Sequence, residues 1–271
     1  MSSDVARYRL RHRTRPMDVF VAGDGRPLVL LHGWGLSGRA YEEAMIRLAD
    51  RGFRVIAPNT AVAKDWSVDG AAELAAEAMA AVEAAPAPVV GHSFGGVIGS
   101  RITLNHTDFV TAFVAVNSPL ISMGGLRLGR ILLPGTHYRI AAHGPAAAAL
   151  IRAASSANGL GSLWRSARWF LGSGHDEPLR AIADLGIPRA IVWATYDTLL
   201  PAALGRRAAE ELSCELITID NPAIRPDHDW PFKHPDLFAG TIDHVLREVA
   251  QPRPIPGEED VPERPPREKR A

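Results

Sequence analysis

The six residues Gly91-His92-Ser93-Phe94-Gly95-Gly96 follow a short apolar run, Pro88 to Val90, and lead into a helical pattern. A strand that passes into a helix through so short a connection must turn sharply, and the flanking positions tolerate almost no side chain. Glycine at 91, 95 and 96 meets that demand. The turn lifts the Ser93 hydroxyl above the end of a sheet, and the positive end of the following helix points toward it. A turn of this kind presupposes strands and helices that alternate along the chain.

The rest of the sequence supplies the alternation. Met17 to Val21 reads as a short strand, turned by Gly23-Asp24-Gly25, and Pro27 to Leu31 is the continuous apolar run of a strand buried on both faces. A helix is expected from about Arg39 to Arg51, closed by Gly52. Phe53 to Ala57 is the next strand, broken by Pro58. Ser67 or Asp69 can cap a helix running to about Ala85, whose apolar face is Ala71, Leu74, Ala75, Ala78, Met79 and Val82. Thr111 to Val116, Arg189 to Trp193 and Glu215 to Ile219 read as further strands, with helices opened by Pro201 and Pro235. The expected fold class is α/β, a mostly parallel central sheet flanked by helices, built from residues 17–118 and 189–250.

Three stretches depart from this rhythm. Residues 1–16 carry five arginines and one aspartate, and Arg7, Arg9, Arg11 and Arg13 alternate with Tyr8, Leu10 and His12 as in an N-terminal arm or half-exposed edge strand. Residues 119–188 hold glycines, alanine-rich helical patches and the aromatic positions Trp164, Trp169 and Phe170, and read as a helical insertion above the sheet. Residues 251–271 contain six prolines and ten charged residues, five of each sign. That tail has too little apolar surface to offset its ordering entropy and is expected to be disordered.

Charge and cysteine content narrow the function classes. Thirty basic and thirty acidic side chains give a formal net charge of zero, which removes the electrostatic argument for a nucleic-acid partner or an anionic membrane surface. A single cysteine, Cys214, excludes an internal disulfide and a CxxC metal site. No apolar stretch reaches the roughly 18 residues of a membrane span, and no apolar leader segment follows the arginines, so the expected location is the cytoplasm. The histidines lack metal spacing, and no phosphate or dinucleotide glycine fingerprint is present, so neither metal nor cofactor is expected.

The chemistry implied by an exposed serine is nucleophilic, and it makes further demands. A serine hydroxyl needs a base, and the base needs an orienting acid. Asp197 follows the apolar strand AIVWA, and His228 follows the last strand in RPDHDWPFKHPDLF. The end of the preceding strand, AVNSP, offers Asn117 and no carboxylate. His234 is a rival base, but it stands just before the proline that opens the last helix, a capping or surface position. Two backbone N–H donors must also face the developing oxyanion. Phe94 can supply one, and Trp34, in the loop His32-Gly33-Trp34-Gly35, the other. His32 reads as a support for that loop.

Together these pieces resemble the α/β-hydrolase fold superfamily, in its serine-nucleophile, esterase- and lipase-like members with a helical cap. VAGDGRPLVLLHGWG, FRVIAP, PVVGHSFGG, IVWATYDTLLP and HDWPFKHPDLF occur in the family's order from about Met17 to Val249. The resemblance implies Ser93, Asp197 and His228 as catalytic triad, Trp34 and Phe94 as oxyanion hole, and the insertion at 119–188 as the variable cap. Members commonly carry a glycine-rich segment after the third strand, where NTAVAKDWS stands here, so substrate analogies do not carry over. The expected activity is hydrolysis of an ester, thioester or lactone through an acyl-enzyme on Ser93, with a small, partly apolar acyl substrate contacted by Trp34, His92 and Trp230. A carbon–carbon bond hydrolase, a cofactor-free haloperoxidase-like enzyme, or a ligand-binding protein on the same scaffold are the alternatives.

Overall fold

A computed structural model describes residues 4–12, 15–60, 67–122, 165, 168–169 and 177–251. Eight strands form one sheet in the order β1-β2-β4-β3-β5-β6-β7-β8. β1 (Ala6–His12) and β2 (Arg15–Ala22) make an antiparallel hairpin at one edge. β2 then pairs antiparallel with β4 (Phe53–Pro58). β3 (Arg26–Leu31), β5 (Ala87–His92), β6 (Val110–Val116), β7 (Arg189–Ala194) and β8 (Glu215–Ile219) continue the sheet in parallel from β4.

The central strands are apolar throughout because both of their faces are covered. Side chains alternate between faces along a strand. Val29, Leu31, Val89, Phe113, Ala115, Ile191 and Trp193 join one core cluster, while Leu28, Leu30, Val90, Val114, Val116 and Val192 join another on the opposite face. The first cluster is completed by α2 (Val68–Ala81), α3 (Phe94–Asn105), α4 (Leu179–Asp184) and α5 (Ala202–Leu212). The second is completed by α1 (Glu42–Ala49), α6 (Trp230–Lys233) and α7 (Pro235–His244).

Local chemistry sets several element ends. The Ser67 hydroxyl accepts from the Gly70 N–H at 2.9 Å and so caps α2, which leaves Asp69 inside the first turn. α2 stops at Ala81, short of the expected Ala85, because Glu83 takes a left-handed backbone (φ 52°) that turns the chain toward β5. The chain after Gly35 enters α1 through a single 3-10 turn, Gly38–Tyr41, rather than directly.

One expected boundary is corrected. The insertion was expected to run to 188, but Leu179, Ile182 and Ile187 are fully buried in the first core cluster, and the Glu177 N–H donates to the Leu120 carbonyl at 3.1 Å. Residues 177–187 therefore belong to the core, where a short helix with apolar residues three apart covers the sheet. Most of the remaining insertion, and the tail from 252, lie outside the described residues. Among the described residues, no helix is long and apolar enough to cross a membrane.

Candidate active site

The site is built on the C-terminal ends of β3, β5, β6 and β7. At the end of β5 the chain turns through Ser93, whose backbone sits at φ 54° and ψ −124°, a region costly for a residue with a side chain. Neighbouring glycines make the turn possible. A Cβ on Gly91 would collide with the Gly95 carbonyl oxygen, and one on Gly95 with that of Leu31. The Ser93 N–H donates to the Val116 carbonyl at 2.8 Å, which pins the turn to β6.

Three of the expected residues converge. The Ser93 Oγ lies 3.0 Å from His228 Nε2, and His228 Nδ1 lies 2.8 Å from Asp197 Oδ2. Asp197 is held on all sides. Its Oδ1 accepts from the Leu199 and Leu200 N–H groups at 2.8 and 2.9 Å, and its Oδ2 also accepts from Asn117 Nδ2 at 2.6 Å. With the carboxylate accepting, His228 Nδ1 carries a proton, which leaves Nε2 to accept from the serine hydroxyl. Burial pulls the His228 pKa down, but the charge and hydrogen bond of Asp197 outweigh it, Asp229 and Asp227 add to them, and the pKa stands above its ordinary 6.5. The arrangement can move a proton from Ser93 to His228 and hold the resulting imidazolium beside a buried carboxylate.

His234, the rival base, caps α7 through its carbonyl, which accepts from the Phe238 N–H at 2.9 Å; the Ser93 hydroxyl faces His228 instead. His32 supports its loop: Thr60 N–H donates to Nε2 at 3.3 Å, and Nδ1 bonds the Gly33 carbonyl at 3.0 Å. That loop lies against the serine, since a Cβ on Gly33 would stand 3.3 Å from the Ser93 Cβ. Trp34 and Phe94 both pack on the first core cluster, and Trp169 of the insertion meets the Phe94 ring edge-on at 5.5 Å between centroids.

Two expected substrate contacts are corrected. His92 is buried at 1% exposure and both ring nitrogens are engaged inside the protein, Nδ1 with the Tyr41 hydroxyl at 2.7 Å and Nε2 with the His228 carbonyl at 2.9 Å. Trp230 is fully buried, donates from Nε1 to Asn117 Oδ1 at 3.0 Å and packs on Phe238. Neither presents a surface to a substrate. Tyr41 and the role of Asn117 were not foreseen. Asn117 stands at a strand end with a left-handed backbone (φ 44°), a placement that signals more than a loop residue. Tyr41 gives no comparable signal, being one aromatic in an apolar pattern.

With this geometry in place, comparison with known proteins decides the family. The sequence model of the Alpha/beta hydrolase family matches residues 28–241. The chain belongs to the α/β-hydrolase family. It is 26% identical over 268 residues to a candidate non-heme haloperoxidase of Mycobacterium phage D29, covering 88% of this chain and 94% of that protein. It is 37% identical over 100 residues to the pimeloyl-[acyl-carrier protein] methyl ester esterase of Vibrio cholerae, which spans 36% of this chain and 39% of the esterase. An esterase structure from Exiguobacterium antarcticum superposes with a TM-score of 0.71 at 15% identity, covering 88% of this chain and 98% of the other, and shares the fold. Its relatives include proteins named as esterases and hydrolases, and the chain is a hydrolase of this family.

Proposed function

We propose that this hydrolase cleaves a carboxylic ester, thioester or lactone through an acyl-enzyme on Ser93. The observation that carries the reading is the unbroken chain from Ser93 Oγ to His228 to Asp197, mounted on a strained turn at the end of β5. His228 Nε2 takes the hydroxyl proton as Oγ adds to the substrate carbonyl. The oxyanion then accepts from the Phe94 and Trp34 N–H groups, each worth roughly 3 kcal/mol of transition-state stabilisation. Collapse of the tetrahedral intermediate expels the leaving group, which receives the proton from His228. Water repeats the sequence on the acyl-enzyme and releases the acid.

The surroundings favour a partly apolar substrate. Trp34 and Trp169 are partly buried and pack on the first core cluster, Trp169 against the Phe94 ring. A second reading comes from the phage relative, which covers nearly the whole chain. If hydrogen peroxide replaces water as the attacking nucleophile, the same acyl-enzyme yields a peroxy acid, an oxidant for halide. Both readings pass through acylated Ser93.

The test is a panel of p-nitrophenyl acyl esters, acyl thioesters and lactones, with and without peroxide and bromide, beside a 1,3-diketone as carbon–carbon substrate. Turnover of the acyl compounds that disappears in Ser93→Ala is expected. Diketone cleavage without ester turnover would contradict the reading.

A further inference from the structure

Beside the Ser93 turn, a second hydrogen-bonded chain runs through the buried protein. Gly33 N–H donates to the Tyr41 hydroxyl oxygen at 2.9 Å. That hydroxyl lies 2.7 Å from His92 Nδ1, and His92 Nε2 lies 2.9 Å from the carbonyl oxygen of His228. Its polarity is fixed by inventory. A carbonyl only accepts, so His92 Nε2 carries a proton. Burial, with the neighbouring His228 adding, pushes the His92 pKa down to about 3, so the ring is neutral and Nδ1 is an acceptor. The Tyr41 hydroxyl must therefore donate to Nδ1, which leaves its oxygen to accept from Gly33.

We propose that Tyr41 and His92 are positioning residues that tie the Gly33-Trp34 loop to the backbone of the loop carrying His228. The proposal rests on the acyl-transfer reading above. Three pieces of the site meet in this chain. Gly33 is the residue before Trp34: the Tyr41 bond fixes the His32–Gly33 peptide plane at 2.9 Å, and the Gly33 carbonyl, which shares the next plane with the Trp34 N–H, is held at 3.0 Å by His32 Nδ1, so the two planes are fixed from either side of Gly33. His92 immediately precedes Ser93. The carbonyl it holds belongs to His228 itself, whose ring is held independently by Asp197. The base is thus anchored at two points, its ring by Asp197 and its backbone by His92.

The remaining contacts serve the same end. Phe232 meets Tyr41 edge-on at 4.7 Å and His92 at 5.7 Å between centroids, which fixes both rings. Tyr41 and His92 are each about 1% exposed, so no water competes for these bonds. A residue that touched substrate could not be so enclosed; these two act through the donors and the base they hold.

The test compares wild type with Tyr41→Phe, which keeps the ring and deletes the hydroxyl, and with His92→Gln. Each is assayed with a p-nitrophenyl acyl ester and with a phenylboronic acid, which adds to Ser93 as a tetrahedral anion and reports on oxyanion and base geometry. The expected result is a fall in kcat of about 10- to 100-fold with KM within about two-fold, and a loss of boronate affinity by the same factor as kcat. Tm falls as well, because buried groups lose partners. A merely structural bridge would lower Tm and leave kcat and boronate affinity of the folded enzyme unchanged, and that result overturns the proposal. If Tyr41→Phe does not fold, His92→Gln decides by the same criteria. Failure of the acyl-transfer reading is separate, since it shows in the wild type as no ester turnover and no boronate binding, and it overturns both.

Discussion

Two buried imidazoles stand 5.0 Å apart beside Ser93, and their surroundings drive them in opposite directions. His228 faces Asp197, with Asp229 and Asp227 nearby, and its pKa is raised; His92 faces a phenol and a peptide carbonyl, and its pKa is pushed down to about 3. One is ready to accept a proton near neutrality, while the other stays neutral and serves as a fixed donor and acceptor. Burial is common to both. What separates a base from a brace is whether a carboxylate lies within hydrogen-bonding reach.

The charged side should dominate the rate. Ser93→Ala and His228→Ala are each expected to lower kcat by about a million-fold, and the double variant by little more, because the two act as a unit. Asp197→Asn, which retains shape but removes the charge, should cost about ten thousand-fold in steady-state ester hydrolysis.

Next comes the pH dependence that separates the two histidines. The base must be unprotonated to receive the serine proton, so kcat/KM should fall as pH drops through a pKa above 6.5. Asp227→Asn should move that acid limb downward, and Tyr41→Phe should leave its position unchanged. The linked stability has the opposite sense. A raised folded-state pKa contributes stability that is present below 6.5 and lost as pH rises through the folded value. Thermal melts of Asp197→Asn should show that pH dependence diminished.

Asn117 sharpens the comparison on a smaller scale. It donates to the same Asp197 oxygen that His228 uses and accepts from the Ala194 N–H and the Trp230 indole. Asn117→Ala should reduce kcat about ten-fold and lower Tm by several degrees, since the buried Ala194 N–H and Trp230 indole are left unmatched and Asp197 loses one of its donors.

How much of this was legible depended on how local the cause was. The turn at Ser93 is written in adjacent glycines, and the strands beneath it in uninterrupted apolar runs, so the sheet and the placement of Ser93 could be read directly. Asp197 and His228, which the fold brings to Ser93, each stand after a strand in the sequence. The functions of His92 and Trp230 were misread because residues beside a reactive group look like substrate contacts until burial is known. Tyr41 was invisible for a related reason: its partner His92 lies 51 positions away, and only the folded core brings the phenol to the imidazole. The segment from Glu177 to Ile187 was assigned to the insertion because a six-residue helix carries too few apolar positions to announce which layer it joins.

Activation of Ser93 by His228 rather than His234 is tested most directly by intact-mass spectrometry after fluorophosphonate treatment of wild type, Ser93→Ala, His228→Ala and His234→Ala. One adduct is predicted on the wild type and on His234→Ala, and none on the other two within the same exposure. An adduct that persists in His228→Ala and disappears in His234→Ala, or a folded wild type that takes none, would contradict it.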